Sequence, residues 1–326
     1  MRTTPWRAGA VGTALCLCLA ATACTNAADW QPSGKASSST QGYDTSTIAV
    51  QPEIAAMLPP GALSDGVLDV AAPAELLDTG GRPVGYDVDL TRAIAAVLGV
   101  RGEVHTAEFD SIMASIGNKY DAGISSFTVT REREAAMDMI AYVNVGSQFT
   151  VQAGNPQEVD PSDHLHLCGL SVGVQVGTSQ ETAMQADSQA CAAAGREPIS
   201  VRSYSKQSEA TTALTGGTID AVYSDSTVAG YAVEQTGGQV EIVGALEDAL
   251  PQAIVMSKSD PRLTAAVQAA VQYLMDSGIW TRILETWGIH DAALTTAALN
   301  PDGPAARAYR MEIEILDFYD HNLYNP

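Results

Sequence analysis

Basic residues are scarce in this chain. Its 326 residues include 17 Lys and Arg against 38 Asp and Glu, which gives a formal net charge of −21 at pH 7. A protein that binds nucleic acid needs a basic surface for the phosphates, so we expect no nucleic-acid partner. The acidity is consistent with solubility in an extracellular setting.

Long apolar runs are absent after the N-terminus. Residues 8–23 form an apolar, small-residue run that is short for a membrane span and follows Arg2 and Arg7. This pattern is typical of a signal peptide, which we place at 1–23 and exclude from the fold. The run ends in Ala21-Thr22-Ala23-Cys24, which resembles a bacterial lipobox with Cys24 as the lipidated residue. Cleavage of an ordinary secretory signal near Ala23 is the alternative.

Cysteine is also rare, with five residues in the chain. Cys16 and Cys18 fall in the signal peptide and Cys24 at its end, which leaves Cys168 and Cys191. An even pair in an exported domain predicts one disulfide; two unpaired buried thiols are the alternative. No ladder of Cys, His and carboxylate residues indicates a metal site, and we expect neither a metal nor a cofactor.

The rest of the chain shows alternating strand and helix patterns. Residues 24–51 are rich in Ser, Thr, Gly and Ala without apolar periodicity, which predicts a flexible, lipid-anchored tether. From Pro52 onward the alternation predicts a parallel or mixed α/β sheet. The predicted strands are Val67–Ala71, Glu103–Ala107, Asp121–Ile124, Val172–Gln175, Ala221–Tyr223 and Ala253–Met256.

Two extended runs look like crossings between two lobes. Phe149–Pro156 is broken by Gly154 and Pro156, and Gly244–Met256 returns through a loop that contains Pro251. The predicted segments are lobe 1 at 52–155 plus 250–293, lobe 2 at 156–249, and a C-terminal extension at 294–326. The extension repeats Met311, Ile315 and Phe318 at helical spacing.

The most informative stretch is FDSIMASIGNKYDAGISSFTVTRER, from Phe109 to Arg133. A short helical run leads into a strand that ends in a hydroxyl-rich turn, directly before Arg133. A guanidinium beside hydroxyls and backbone N–H groups suits a small carboxylate, because Arg is a planar, two-pronged donor. Pairing of Arg133 with Glu132 or Glu134 on a solvated helix is the alternative.

Three further blocks follow a fixed order around that stretch. They are GYDVDLTRAIAAVLGV (Gly85–Val100), LSVGVQVGTSQET (Leu170–Thr182) and GGTIDAVYSDSTVAGYAV (Gly216–Val233). The ordered set resembles the family 3 solute-binding proteins of ABC importers, over about Pro52–Ile289. The resemblance implies an α/β, two-lobed clamshell of the type II periplasmic-binding-protein kind, with two crossover hinge strands. It also implies a monomer without catalytic activity that captures a polar amino acid on the extracellular face of the cell membrane, for ABC permease subunits.

An α-amino acid is a zwitterion, so burying it requires a cation for its carboxylate and an anion for its ammonium group. We predict that Arg133 and Thr128 bind the carboxylate from lobe 1, while Thr178 and Ser179 donate from a helix N-terminus on lobe 2. We predict that Asp225 binds the ammonium group. An Asp225 that merely caps the following helix is the alternative.

The remaining site predictions follow from the resemblance. The Ser126 carbonyl is expected to join Asp225 at the ammonium group. Phe109 stands where family members often carry an aromatic residue that stacks on the ligand, although a core role is the alternative. The loop after the first strand is shorter than is usual in the family, so Glu75 or Tyr86 would complete that wall.

Two other functions remain open from the sequence. The same fold hosts dehydratases of prephenate-like acids, and such an enzyme needs a general acid or base, for which Glu75 is the spare carboxylate near the cleft. The shortened loop is also compatible with a degenerate sensor or interaction protein. A further departure is Gln252-Ala253, where the family commonly has an aromatic-Gly pair.

Overall fold

The structure of the chain is a computed structural model that describes residues 42–73 and 82–301. The predicted signal peptide, Cys24, Glu75 and the Met311–Phe318 pattern lie outside the described residues.

Strands and helices alternate along the described chain. The strands are β1 (Val67–Pro73), β2 (Arg101–Ala107), β3 (Ala122–Thr128), β4 (Asp138–Gln152), β5 (Ser171–Gln175), β6 (Ser200–Tyr204), β7 (Ala221–Asp225) and β8 (Val240–Met256). The helices are α1 (Pro52–Ala55), α2 (Tyr86–Leu98), α3 (Phe109–Ser115), α4 (Arg131–Ala136), α5 (Ser179–Ala193), α6 (Gln207–Thr215), α7 (Ser226–Gln235), α8 (Pro261–Asp276) and α9 (Ile279–Thr286).

The strands form one mixed sheet in the order β2-β1-β3-β8-β4-β7-β5-β6. β1 is parallel to β2 and β3 at one end, and β5 is parallel to β6 and β7 at the other. β4 and β8 lie between these groups and pair antiparallel with their neighbours. The predicted α/β class is confirmed, and each of the six predicted strands overlaps an observed strand.

β4 and β8 are the two crossing strands. β3 pairs with the Met256 end of β8, whereas β7 pairs with the later half of β4, where Val151 lies opposite Ala221. The first crossing strand begins at Asp138, earlier than the predicted run from Phe149, and its early part is buried at Met139 to Val143 and at Val145. The residue boundaries of the two lobes stay a prediction.

Separate hydrophobic cores lie on the two sides of these strands. In lobe 1, α2, α8 and α9 pack their apolar faces together on the sheet, with Trp280 fully buried and donating to the Tyr142 carbonyl at 2.7 Å. A second cluster in lobe 1 gathers around α3 and β3. In lobe 2 the cores collect around β5, α5, α6 and β7. Each lobe therefore buries its own apolar surface, which is the main favourable term in folding.

Helix α2 shows how the sequence places cleft residues. Leu90, Ile94 and Val97 recur at helical spacing and are fully buried, and the helix ends at Gly99 in a left-handed conformation. At its start, Gly85 has φ +132, which a side chain disfavours. Helix α2 therefore begins directly after this glycine, with Tyr86 as its first residue.

The predicted disulfide is present. Cys168 and Cys191 are joined with a Cα–Cα distance of 5.6 Å, and the bond connects the loop before β5 to α5. It closes a loop with a sequence separation of 23 residues inside lobe 2.

In both segments predicted to flank the lobes, the residues next to lobe 1 pack on it. Near the end of the predicted tether, the Tyr43 amide donates to Asp89 at 2.7 Å and the Gln51 amide donates to the Val97 carbonyl. At the start of the predicted extension, Asn300 exchanges two hydrogen bonds with the backbone of Met139. Contact with lobe 1 therefore begins before residue 52 and continues after residue 293, through backbone hydrogen bonds and through apolar side chains such as Ile48 and Leu294.

A charged cluster in lobe 2 surrounds His164, which follows β4. Nδ1 of His164 lies 2.7 Å from Asp187 on α5, and Nε2 lies 3.1 Å from Glu247 on β8. Glu247 also accepts a hydrogen bond from Tyr223 at 2.9 Å. A neutral imidazole has one N–H, so both carboxylate contacts are satisfied only by the protonated ring. Burial lowers the pKa of His164, but the hydrogen bonds to Asp187 and Glu247 outweigh it and raise that pKa above its ordinary value.

We expect His164→Gln to destabilise the protein more at acidic than at alkaline pH. A group whose pKa is raised on folding stabilises the protein below its unfolded pKa, and this contribution is lost as the pH rises through the folded value. Because the ring is partly exposed, we expect about 1 kcal/mol. Urea unfolding at about pH 5.5 and about pH 8.5 measures the difference. His166→Gln is the matched control, since that ring contacts the exposed Asp160. An equal loss at both pH values would contradict the assignment.

Candidate functional site

Arg133 lies in the cleft region, in the short helix α4 that follows the end of β3. Thr130 caps α4 by accepting a hydrogen bond from the Arg133 amide at 3.2 Å. The guanidinium donates to the Thr128 carbonyl at 2.8 Å and to the Gly177 carbonyl at 2.9 Å. These two bonds use two of its five N–H donors. The alternative of a purely solvated ion pair for Arg133 therefore does not describe its surroundings.

Aromatic rings flank this guanidinium. Its central carbon lies 5.8 Å from the centre of the Phe109 ring and 5.7 Å from that of Phe127, within reach of a cation–π interaction. Burial lowers the pKa of Arg133, although the charges of Asp225 and Glu132 oppose this. An arginine remains protonated under such conditions.

The turn after β3 supplies hydroxyl groups. Ser126 has φ +48, an uncommon backbone conformation for a residue with a side chain. Its amide donates to the Tyr142 hydroxyl at 3.1 Å, and its hydroxyl lies 2.6 Å from the Tyr86 hydroxyl. The Thr128 hydroxyl lies 3.2 Å from that of Ser179, so a polar contact joins the two lobes.

Thr178 and Ser179 sit at the N-terminus of α5, as predicted. The Thr178 hydroxyl donates to the Gln175 carbonyl at 2.7 Å and accepts from the Glu181 amide at 3.1 Å. That hydroxyl is therefore used as a helix cap, which differs from the prediction that it points at a ligand. Ser179 keeps its hydroxyl at the interface between the lobes.

Asp225 ends β7 and is held by two amide side chains. One carboxylate oxygen accepts from Gln180 at 2.7 Å and the other accepts from Gln252 at 2.8 Å. Among the described residues its side chain makes no capping bond to α7, so the helix-cap alternative does not apply. Burial raises the pKa of Asp225 to about 6, while the hydrogen bonds from Gln252 and Gln180 and the charge of Arg133 oppose the rise.

A second buried carboxylate belongs to Asp87, in the first turn of α2. It accepts a hydrogen bond from the Tyr142 hydroxyl at 2.7 Å. Burial raises the pKa of Asp87 to about 7; the bond from Tyr142 opposes this rise and the charge of Asp225 adds to it. Two acidic groups therefore influence each other in the same region.

These side chains surround one cavity of about 420 Å³. It is bounded by the start of α2, the end of β3, α4, the start of α5, α6, and the end of β7 with α7. Seven of the predicted site residues line it, namely Phe109, Ser126, Thr128, Arg133, Thr178, Ser179 and Asp225. Glu75 lies outside the described residues. The cavity thus brings the predicted cation and anion together, while their roles toward a ligand stay predictions.

Phe109 packs in the core of lobe 1 and also lines the cavity, while its stacking on a ligand stays a prediction. It lines the cavity, yet it is 8% exposed and stacks on Phe127 with ring centres 4.7 Å apart.

Three residues at or behind the cavity were not predicted from the sequence. Asp87 and Gln180 line the cavity, and Gln252 contacts Asp225 from behind it. Tyr86, predicted only as a substitute wall, also lines the cavity. The sequence signal for Asp87 was its place two residues after Gly85, in the first turn of a helix.

A possible metal-ligand group lies away from this cavity. Within the described ranges, Asp69, Glu103 and His105 offer three ligand atoms within 4.8 Å of one another, at the β1–β2 edge. His105 already contacts Asp69 at 2.8 Å, and Glu103 pairs with Arg101 at 3.0 Å. The group is accounted for as a set of surface ion pairs.

The part of the chain that the structure describes contains no helix that is both long and apolar enough to span a membrane.

Comparisons with known proteins agree with this architecture. The model of the family of bacterial extracellular solute-binding proteins, family 3, matches residues 63–290. An arginine-binding protein, ArgT of Corynebacterium glutamicum, is 36% identical over 257 residues, covering 76% of this chain and 83% of that protein. The L-cystine-binding protein TcyJ of Escherichia coli is 25% identical, covering 70% and 82% respectively.

A solved structure is similar across the same region. An ancestral arginine-binding protein bound to arginine matches with a TM-score of 0.62 and 31% identity, covering 68% of this chain and 98% of that one. Fold, cavity and sequence matches all point the same way: this chain belongs to family 3 of the bacterial extracellular solute-binding proteins.

Proposed function

We propose that this protein captures a basic amino acid, with L-arginine as the first candidate, and presents it to an ABC importer. The observation that carries the proposal is the charge balance of the cavity. Its described lining contains two carboxylates, Asp87 and Asp225, and one cation, Arg133. A zwitterion with a neutral side chain would leave one buried carboxylate unmatched, whereas a basic amino acid brings one additional positive charge.

In this proposal Arg133 and the Thr128 hydroxyl bind the α-carboxylate, with Ser179 donating from lobe 2. Thr178 contributes by capping α5, so that the N-terminus of this helix faces the same carboxylate. Phe109 forms a wall beside it. A bidentate guanidinium–carboxylate contact is strong and directional, which fixes the orientation of the ligand.

Asp225 then binds the α-ammonium group, and the Ser126 carbonyl assists. The distal positive charge of the ligand points toward the region of Asp87 and Tyr86. Glu75 is proposed to complete this wall from the loop after β1. The named ligands of the arginine-binding relatives agree with this charge pattern.

Binding is coupled to closure of the two lobes. Arg133 comes from lobe 1 and Asp225 from lobe 2, and Arg133 already reaches the Gly177 carbonyl on the opposite side. A ligand that contacts both lobes stabilises the closed arrangement over the open one. The segments 52–155 plus 250–293 and 156–249 are the proposed moving units. The protein is proposed to work as a monomer without catalysis or cofactor, with the permease subunits as its partners.

We also propose that the mature protein is tethered at the extracellular face of the membrane through Cys24. The lipobox-like Ala21-Thr22-Ala23-Cys24 supports this. Expression of Cys24→Ala in a Gram-positive host should release the protein to the medium, because a thioether-linked lipid can no longer form. Fractionation of cells and medium measures this. Cys18→Ala is the control that keeps the membrane fraction, and equal release of both variants would contradict the anchor.

Substitution of either charged residue should weaken ligand binding. We expect Arg133→Ala and Asp225→Asn each to weaken L-arginine binding by about 10- to 100-fold, because a charge-assisted hydrogen bond contributes about 1.5–3 kcal/mol. Thermal-shift screening with the twenty amino acids and prephenate, followed by calorimetry, measures the effect. Arg101→Ala and Asp291→Asn are controls at exposed positions. Absence of binding by the unaltered protein to every amino acid would overturn the proposal, and turnover of prephenate would favour an enzyme.

Asp87→Asn should change selectivity. The variant keeps an acceptor for the Tyr142 hydroxyl but removes the charge, so we expect L-arginine and L-lysine to bind about tenfold more weakly and L-glutamine to change little. Because burial raises the pKa of Asp87 to about 7, the affinity of the unaltered protein for L-arginine should fall as the pH is lowered from about 8 to about 6. Calorimetry at both pH values tests this. Equal losses for arginine and glutamine would contradict the role of the charge.

A further inference from the structure

Gln252 is a fully buried amide on a crossing strand, directly behind the cavity. Its Nε2 atom donates to the Asp225 carboxylate at 2.8 Å. Its Oε1 atom is buried and has no hydrogen-bond partner among the described residues. Leaving a buried acceptor unpaired is unfavourable. The contact with Asp225 therefore sets the orientation of the Gln252 side-chain amide. An ionised carboxylate can only accept hydrogen bonds, so the NH2 group of the amide must face it.

The backbone of Gln252 belongs to the lobe 1 side of β8. It lies opposite Thr128 of β3 and Val143 of β4. Asp225, in contrast, ends β7 and pairs with Ser147 further along β4. The hydrogen bond from Gln252 to Asp225 therefore crosses from one lobe to the other.

The second amide approaches Asp225 from the opposite side. Gln180 of α5 donates to the other carboxylate oxygen and also to the Ser147 hydroxyl, both at 2.7 Å. One oxygen is thus held from within lobe 2 and the other from the lobe 1 side. Together these bonds fix the plane of the carboxylate.

We propose that Gln252 is a positioning residue for ligand capture, which orients Asp225 and keeps it ionised for the ammonium group of the ligand. The inference rests on the proposed function and adds a residue that is not part of the cavity lining. An amide donor stabilises the charged form of a buried carboxylate, whereas burial alone favours the neutral form. A neutral Asp225 would lose its charge-assisted contact with the ligand.

Other charged and titratable groups lie near Asp225, and each has its own protonation behaviour. Arg133 of α4 favours its ionised form. The charge of Asp225 in turn raises the pKa of Asp87 of α2, so that Asp87 takes up a proton before Asp225 does. Tyr86 of α2 stays neutral, since burial raises its pKa well above the ordinary value. Loss of the Gln252 donor therefore leaves the effect of burial on the Asp225 pKa opposed by Gln180 and Arg133 alone among the causes that act on it in the described residues.

The first measurement needs no ligand. In protein with 13C-labelled Asp carboxyl groups, assigned with Asp225→Asn, we expect the titration midpoint of Asp225 to lie at higher pH in Gln252→Leu than in the unaltered protein. Leu removes the donor and the unpaired acceptor while keeping similar volume. Gln252→Met is the second variant in case Leu does not fold, and Gln268→Leu on α8, which loses only a bond to the Ala297 carbonyl, is the matched control.

The second measurement is the affinity for L-arginine between about pH 6 and about pH 8.5. We expect the ratio of the dissociation constants at these pH values to grow by about fivefold in Gln252→Leu for a midpoint that rises by about one unit, because the ionised fraction of Asp225 at pH 6 then falls from about one half to about one tenth. The Gln268→Leu control should keep the ratio of the unaltered protein.

The outcomes separate the inference from the proposed function. An unchanged midpoint of Asp225 in both Gln252 variants, or an affinity loss of the same size at every pH, overturns the role of Gln252 even if the unaltered protein binds arginine. A raised midpoint in a protein that binds no amino acid supports the influence of Gln252 on Asp225 but overturns ligand capture, and the inference about capture falls with it.

Discussion

Opposite charges buried around one cavity are the constraint on which the site depends. Arg133, Asp225 and Asp87 line the same cavity, and a buried charge is costly unless it is paired and hydrogen-bonded. The surrounding polar groups meet this requirement. Two backbone carbonyls accept from Arg133, two amides donate to Asp225, and the Tyr142 hydroxyl donates to Asp87. Because these partners come from different elements, satisfying the charges also fixes how the elements meet.

Much of this arrangement could be predicted from the sequence. The strands were recognisable because short apolar runs alternate with helical periodicity, and Arg133 and Asp225 were recognisable because each ends a strand block in a fixed order. The disulfide followed from the two cysteines left after the signal peptide. In each case the signal is local or depends only on order along the chain.

The rest depended on contacts that the sequence does not reveal. An acid in the first turn of a helix, such as Asp87, is common because it complements the helix dipole; its burial depends on Tyr142, 55 residues away. Gln180 and Gln252 carry no charge and meet only at Asp225. Thr178 shows the opposite problem, since a Thr before a helix is typical both of a ligand site and of a cap, and the structure uses its hydroxyl as a cap.

β4 and β8 lie side by side in the middle of the sheet, and within the described residues they carry the chain from one lobe to the other. Two attachments define a line, and bending about that line requires small backbone changes where each strand crosses. Twisting or sliding the lobes in other directions would instead shear the hydrogen bonds between the two strands. The paired strands therefore favour one axis of rotation between the lobes, and in the proposed closure the same residues would meet across the cavity each time.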